Sequence, residues 1–119
     1  MIRFDLHVFA GRFETEAAAS KYAAETFDAN VDSHCQLSSD IGVVRLNHDY
    51  VETIFGPSRH EYLTTLLVDP SCLLTIQQAE PSDTDTYFLV FGIESNRGLS
   101  FSEAPRRVSF LGTYKGAWK

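Results

Sequence analysis

The run Thr86 to Ile93, TYFLVFGI, limits what this chain can fold into more than any other segment, because it is apolar in both registers of a two-residue repeat. Tyr87, Leu89, Phe91 and Ile93 fall on one side of an extended strand and Phe88 and Val90 on the other. A strand with no polar face has to sit in the middle of a sheet, with covering on both sides. Ile2, Phe4, Leu6, Val8 and Ala10 alternate with Arg3, Asp5, His7 and Phe9, which marks a first strand with one buried face, closed by Gly11. Val108 to Tyr114 reads as the last strand.

Helical periodicity fills the intervals. Thr15 is placed to cap a helix running to about Phe27, with Ala19, Tyr22, Ala23, Thr26 and Phe27 on its inner face. The polar stretch Asp28 to Asp40 reads as loop. Val43 to Leu46 and Tyr50 to Phe55 suit a hairpin turning at Asn47-His48-Asp49. After Gly56-Pro57, Ser58 and Glu61 have the spacing of a capping box for a helix burying Tyr62, Leu63, Leu66 and Leu67. Asp69-Pro70 opens a short helix with Cys72, Leu73, Ile76 and Ala79 on one side, and Gly98 to Pro105 is a loop. The expected fold is one α+β domain over residues 1–119, with about five mainly antiparallel strands and helices packed mainly on one face.

At 119 residues, 44% hydrophobic and 22% charged, the chain has the composition of an ordinary soluble domain large enough for its own core. Cys35 and Cys72 lack CxxC spacing, so two free thiols are expected, with one disulfide between them as the alternative. The N-terminal run is broken by Arg3, Asp5 and His7, which excludes a signal-peptide core or membrane span there and points to a cytoplasmic protein. Net charge is −6, unevenly spread. Residues 1–94 carry fifteen acids and five bases, whereas residues 95–119 carry Glu103 against Arg97, Arg106, Arg107, Lys115 and Lys119. An acidic bulk disfavours nucleic acid and anionic membrane as partners and favours a basic protein.

Glu52 is the residue out of place. In an extended register it shares a face with Tyr50 and Ile54, and a carboxylate among hydrophobes is there for a partner, a site or protection of a sheet edge. His48, Asp49 and Glu52, joined by His7 or His60, are the densest set of metal-ligating types. An ion needs three convergent ligands, however, and adjacent turn residues point apart. Ser82-Asp83-Thr84-Asp85 offers two spaced carboxylates without the glycine and distal glutamate of a calcium loop. The chain has no Gly-x-Ser-x-Gly elbow, phosphate-binding loop or dinucleotide fingerprint. No catalytic residue, metal or cofactor is therefore expected.

HVFAGRFETEAAASKY (His7 to Tyr22), SDIGVVRLNHDYVETIF (Ser39 to Phe55) and SFLGTYKG (Ser109 to Gly116) resemble the immunity protein 22 family, small α+β domains of bacterial polymorphic-toxin loci. That family's pattern is an aromatic-x-Gly strand end, a helix with a central tyrosine, and an Asp-x-Asp-aromatic-x-Glu run. Phe9, Gly11 and Tyr22 match the first two parts, and Asp49, Tyr50 and Glu52 the third, with Asn47 standing where the family often has aspartate. The resemblance implies a neutraliser of a cognate toxin, active by binding rather than catalysis. A nuclease toxin, with a basic cleft for phosphate, would suit the acidic bulk. Its expected contacts are Asp40, Asn47, His48, Asp49, Tyr50 and Glu52, with Asp83 and Asp85 as a second acidic loop. Two other readings compete: a small metal-dependent hydrolase using His48, Asp49 and Glu52, and an interaction module whose partner is not a toxin.

Overall fold

A computed structural model describes residues 1–24, 26–28 and 31–118, with the backbone alone for 26–28 and 31–34. In chain order its elements are β1 (Ile2–Gly11), α1 (Glu16–Ala23), β2 (Thr26–Asp28), β3 (Val31–His34) and α2 (Gln36–Ile41), then a 3-10 turn (His48–Tyr50), β4 (Val51–Phe55), α3 (Arg59–Leu66), α4 (Cys72–Ala79), β5 (Thr86–Gly92), a second 3-10 turn (Glu94–Asn96) and β6 (Ser109–Trp118). The main sheet is antiparallel throughout in the order β4-β5-β1-β6, and β2 and β3 pair separately. The α+β class is as expected. The five-stranded sheet is corrected to four strands plus a detached two-stranded hairpin.

β5 is an inner strand, and Thr86 to Phe91 are all buried. Its two apolar faces belong to two separate cores. Tyr87, Leu89 and Phe91, with Phe4, Leu6 and Val8 of β1, pack against Leu63 and Leu66 of α3 and Ile76 of α4. Phe88 and Val90, with Phe9, pack against Ala19 and Tyr22 of α1 and Leu37 and Ile41 of α2. Helices therefore cover both faces, two on each, not mainly one. A strand apolar on both sides needs this arrangement, since burying a Phe or Leu side chain contributes about 1.5–3 kcal/mol that one solvated face would forgo.

Local sequence accounts for most element ends. The Thr15 hydroxyl accepts from Ala18 N–H at 3.1 Å and starts α1 as expected. The helix ends at Ala23, not near Phe27, and Thr26 already belongs to β2. The stretch expected as loop from Asp28 to Asp40 contains β3 and α2, while residues 29 and 30 lie outside the described part. Cys35 caps α2: its Sγ accepts from Ser38 N–H at 3.3 Å and the Ser38 hydroxyl accepts from Cys35 N–H at 3.3 Å. A thiol is an unusual cap, so the helix start was invisible to rules built on Ser, Thr, Asp and Asn.

Val43 to Leu46 form no strand, and β4 pairs with β5 instead, so the expected hairpin is replaced by a long-range pairing. The capping box at Ser58 does not form. Ser58 is itself in helical geometry (φ −72°, ψ −4°), which aims its hydroxyl away from the first-turn amides. Asp69 makes a tight turn before α4, accepting from Ser71 N–H at 3.0 Å and from its hydroxyl at 2.7 Å. Cys35 and Cys72 are both free and lie in the two different cores, which rules out a bridge between them in this fold.

Candidate interaction surface

The residues singled out around Asn47 to Glu52 come together at one end of the sheet, where β4 begins and β5 ends. Asn47 organises it. Its side-chain oxygen accepts from Asp49 N–H at 3.0 Å and starts the 3-10 turn, the local geometry that asparagine favours. Its main chain is held by Asn96, a fully buried amide in the second 3-10 turn. Asn47 N–H donates to Asn96 Oδ1 at 2.8 Å, and Asn96 Nδ2 donates back to the Asn47 carbonyl at 3.0 Å. Asn47 Nδ2 also donates to Ser95 Oγ at 3.0 Å. The two turns are thus locked together, and Asn47 spends its groups on scaffold.

What they present outward is acidic and aromatic. Asp49 on the first turn and Glu94 on the second are both exposed, and Glu94 is held at a positive φ of 51°. Tyr50 is half-buried, its ring stacked at 6.3 Å from that of Trp118. Trp118 leans in turn on Phe4 at 4.6 Å and Phe91 at 5.0 Å, so the outer rings are backed by the first core. Half-buried aromatics are enriched at the centres of protein interfaces, and charged groups such as these acids at their rims.

Glu52 lies on the same face of β4 and has an internal partner. The phenol of Tyr62 on α3 donates to its carboxylate, and burial, with the acceptor carboxylate second, pushes the Tyr62 hydroxyl well above the ordinary tyrosine range. A glutamate between Tyr50 and Ile54 is therefore explained by a donor reaching it from a neighbouring helix. His48 is half-buried in the turn.

The other expected contacts are elsewhere. Asp40 is buried under α1 and is corrected from exposed to internal: it accepts from Tyr22 Oη at 2.7 Å and Gln36 Nε2 at 2.9 Å. Asp85 is also internal in function. Its carboxylate accepts from Phe13 N–H at 3.0 Å, Glu14 N–H at 2.9 Å and Thr86 Oγ1 at 2.8 Å. Burial raises the Asp85 carboxyl, but those donors and the nearby Arg12 charge leave it below the usual carboxylate range. Asp83 is exposed in a turn at φ 70°. Both sit at the start of β5, a strand's length from Asn47, roughly 20 Å at about 3.4 Å per residue. The expected acids accordingly do not form one patch.

A polar cluster that sequence reading missed surrounds Glu80, just after α4. Arg59 Nη2 donates to its carboxylate at 2.8 Å, Tyr87 Oη at 2.5 Å and Thr84 Oγ1 at 2.5 Å, with His60 Nε2 at 3.3 Å. Arg59 also lies over the Tyr87 ring at 5.1 Å and donates to the carbonyls of Gly56 and Thr84. Four donors occupy about all the lone-pair positions a carboxylate has, so this cluster joins α3, α4 and β5 and leaves no acceptor for a ligand. Its members come from two stretches of the chain, residues 56–60 and 80–87, which no spacing rule connects.

Among the described residues no three His, Cys, Asp or Glu side chains are grouped to hold a metal ion, so His48, Asp49 and Glu52 do not form the ligand set weighed above. Among the described residues no helix is long and apolar enough to cross a membrane. Compared with known proteins, the chain matches no family model, no curated protein and no solved structure.

Proposed function

We propose that this chain is an immunity protein that works by binding: it neutralises a cognate bacterial toxin by docking the acidic and aromatic rim formed by the two 3-10 turns. The observation that carries the reading is the presentation of Asp49 and Glu94 beside the Tyr50–Trp118 stack, on turns locked by Asn47 and Asn96. Pre-ordered aromatics lose little entropy on binding, and flanking carboxylates speed encounter with a basic partner. Net charge of −6 acts in the same direction. A nuclease fits best as target, because its substrate cleft must be basic. The sequence resemblance to immunity proteins supports the same reading.

The test is growth of cells expressing the product of the adjacent upstream gene, with and without this chain, followed by co-purification. Rescue by the natural chain, lost in a D49K/E94K double variant of unchanged melting temperature, is the expected result. Toxicity that the natural chain leaves unchanged would overturn the immunity reading and favour an interaction module with a different partner. Rescue that survives the double charge reversal would move the interface away from this rim.

A further inference from the structure

We propose a second site: the cavity on the face that carries Arg3 and Lys115, beside the second 3-10 turn, binds a small organic anion, a phosphate or carboxylate on a compact apolar body. It does not rest on the toxin-binding reading, although Arg97 directly follows the turn that carries Glu94. The cavity measures about 570 Å³ and is bounded by Arg3, Arg97 and Lys115, with the exposed Val68 beside them. It forms because of register. Gly92, Asp5 and Lys115 stand in one row across β5, β1 and β6, and Arg3 lies two residues along β1 on the same side as Asp5. Gly92 contributes no side chain, and a Cβ there would come within 3.0 Å of the Asp5 carbonyl oxygen and 3.2 Å of the Asp5 Cβ. The row is thus held open at its β5 end.

Charge at this place runs against the rest of the molecule. Three cations meet one carboxylate, although acids exceed bases by six over the whole chain. Asp5 is committed to Lys115, whose Nζ lies at 2.8 Å, and that bond holds the Asp5 carboxyl below its ordinary range. The guanidinium groups of Arg3 and Arg97 make no hydrogen bond and no ion pair among the described residues. Two unpaired guanidinium groups at one cavity match the paired oxygens of a phosphate or carboxylate, to which arginine donates in a bidentate fork. The volume is in the range of small-molecule sites and exceeds what a bare inorganic anion fills, and exposed Val68 offers an apolar surface for the remainder.

Phenyl phosphate, benzoate and phenol, titrated into the isotope-labelled full chain at constant ionic strength, test this by amide shifts. Saturable shifts at Gly92, Gly98 and Gly116 with one or both anions, and weaker binding of phenol, are expected. Tighter binding of phenyl phosphate assigns phosphate as the headgroup, and tighter binding of benzoate assigns carboxylate. Arg3→Gln and Arg97→Gln, both at exposed positions, should each weaken binding about tenfold or more while leaving the remaining spectrum in place. Absence of saturable shifts with both anions, phenol binding as tightly as they do, or affinity unchanged in both variants would overturn the proposal.

Discussion

The main chain of Asn47 and the side-chain amide of Asn96 exchange two hydrogen bonds, N–H to Oδ1 at 2.8 Å and Nδ2 to carbonyl at 3.0 Å, across 49 residues of sequence. Asn96 is fully buried, so its amide has no access to replacement water. Asn96→Ala leaves one donor and one acceptor of the main chain unpaired and should destabilise the fold by about 2–4 kcal/mol. Urea unfolding would measure it. If the rim is the binding surface, a change to Asn96 also weakens toxin binding without removing any contact residue. A loss below about 0.5 kcal/mol would mean the two turns are held by something else.

Glu52 and Asp49 should separate cleanly although they stand three residues apart. Asp49→Lys leaves the melting temperature unchanged, because Asp49 is exposed. Glu52→Lys takes the acceptor from Tyr62 and places a second donor against its hydroxyl, which should cost about 1–3 kcal/mol. Tyr62→Phe and Glu52→Gln in a double-mutant cycle should show coupling of about 0.5–1.5 kcal/mol. Additive effects would contradict the pairing.

Acid should weaken the fold in two distinct ranges. His7 is buried against Phe101 and bonded through Nδ1 to Thr113 Oγ1 at 2.8 Å; burial pushes its pKa below 6.5, only partly opposed by Asp5. The unfolded chain then binds a proton that the folded chain refuses, so stability present above pH 6.5 is lost as pH falls toward the lowered folded value. His7→Gln should flatten the wild-type slope in that range. An unchanged slope would show that His7 does not titrate with folding.

The second acid range belongs to Glu80. Burial raises its carboxyl, but hydrogen bonds from Thr84, Tyr87, Arg59 and His60 outweigh this and leave it below 4.5. Its contribution is complete above pH 4.5 and falls away as pH drops through the folded value. Glu80→Ala strands the largely buried Arg59, whose side chain is 11% exposed, and should cost about 3–5 kcal/mol at neutral pH. Calorimetry from pH 7 downward should show the difference between natural chain and variant shrinking once the pH falls below 4.5, and a difference that stays constant would contradict the assignment.

Gly116 faces Phe4 across the β1–β6 pair, and an added Cβ would run into the Phe4 ring. Gly116→Ala should therefore destabilise by about 1–3 kcal/mol through overpacking. Phe4→Leu in the same chain, which withdraws the ring, should recover part of the loss. If it recovers nothing, the strain lies elsewhere in β6.

Elements whose signal repeats within a few residues were legible in advance. The alternation of β1, the doubly apolar β5, the Thr15 cap and the inner face of α3 all follow from side-chain period and local hydrogen bonding. The elements misread are those whose stabilising partner is distant. β4 pairs with β5 over thirty residues further on, not with the neighbouring Val43 to Leu46, and α2 starts on a thiol cap. The detached β2–β3 hairpin carried no alternation strong enough to be called.

The same division holds for the candidate sites. Residue types alone showed that Asp49, Tyr50 and Glu52 were unusual, that the chain is acidic, and that one strand must be covered twice. Which carboxylates face outward was decided only in three dimensions, because a donor supplied from another element turns an apparent surface acid into scaffold. Tyr22 did this to Asp40, Tyr62 to Glu52, and the Phe13 and Glu14 amides to Asp85. Sequence order records charge and period, whereas solvation depends on what packs alongside, and that is set by contacts between segments far apart in the chain.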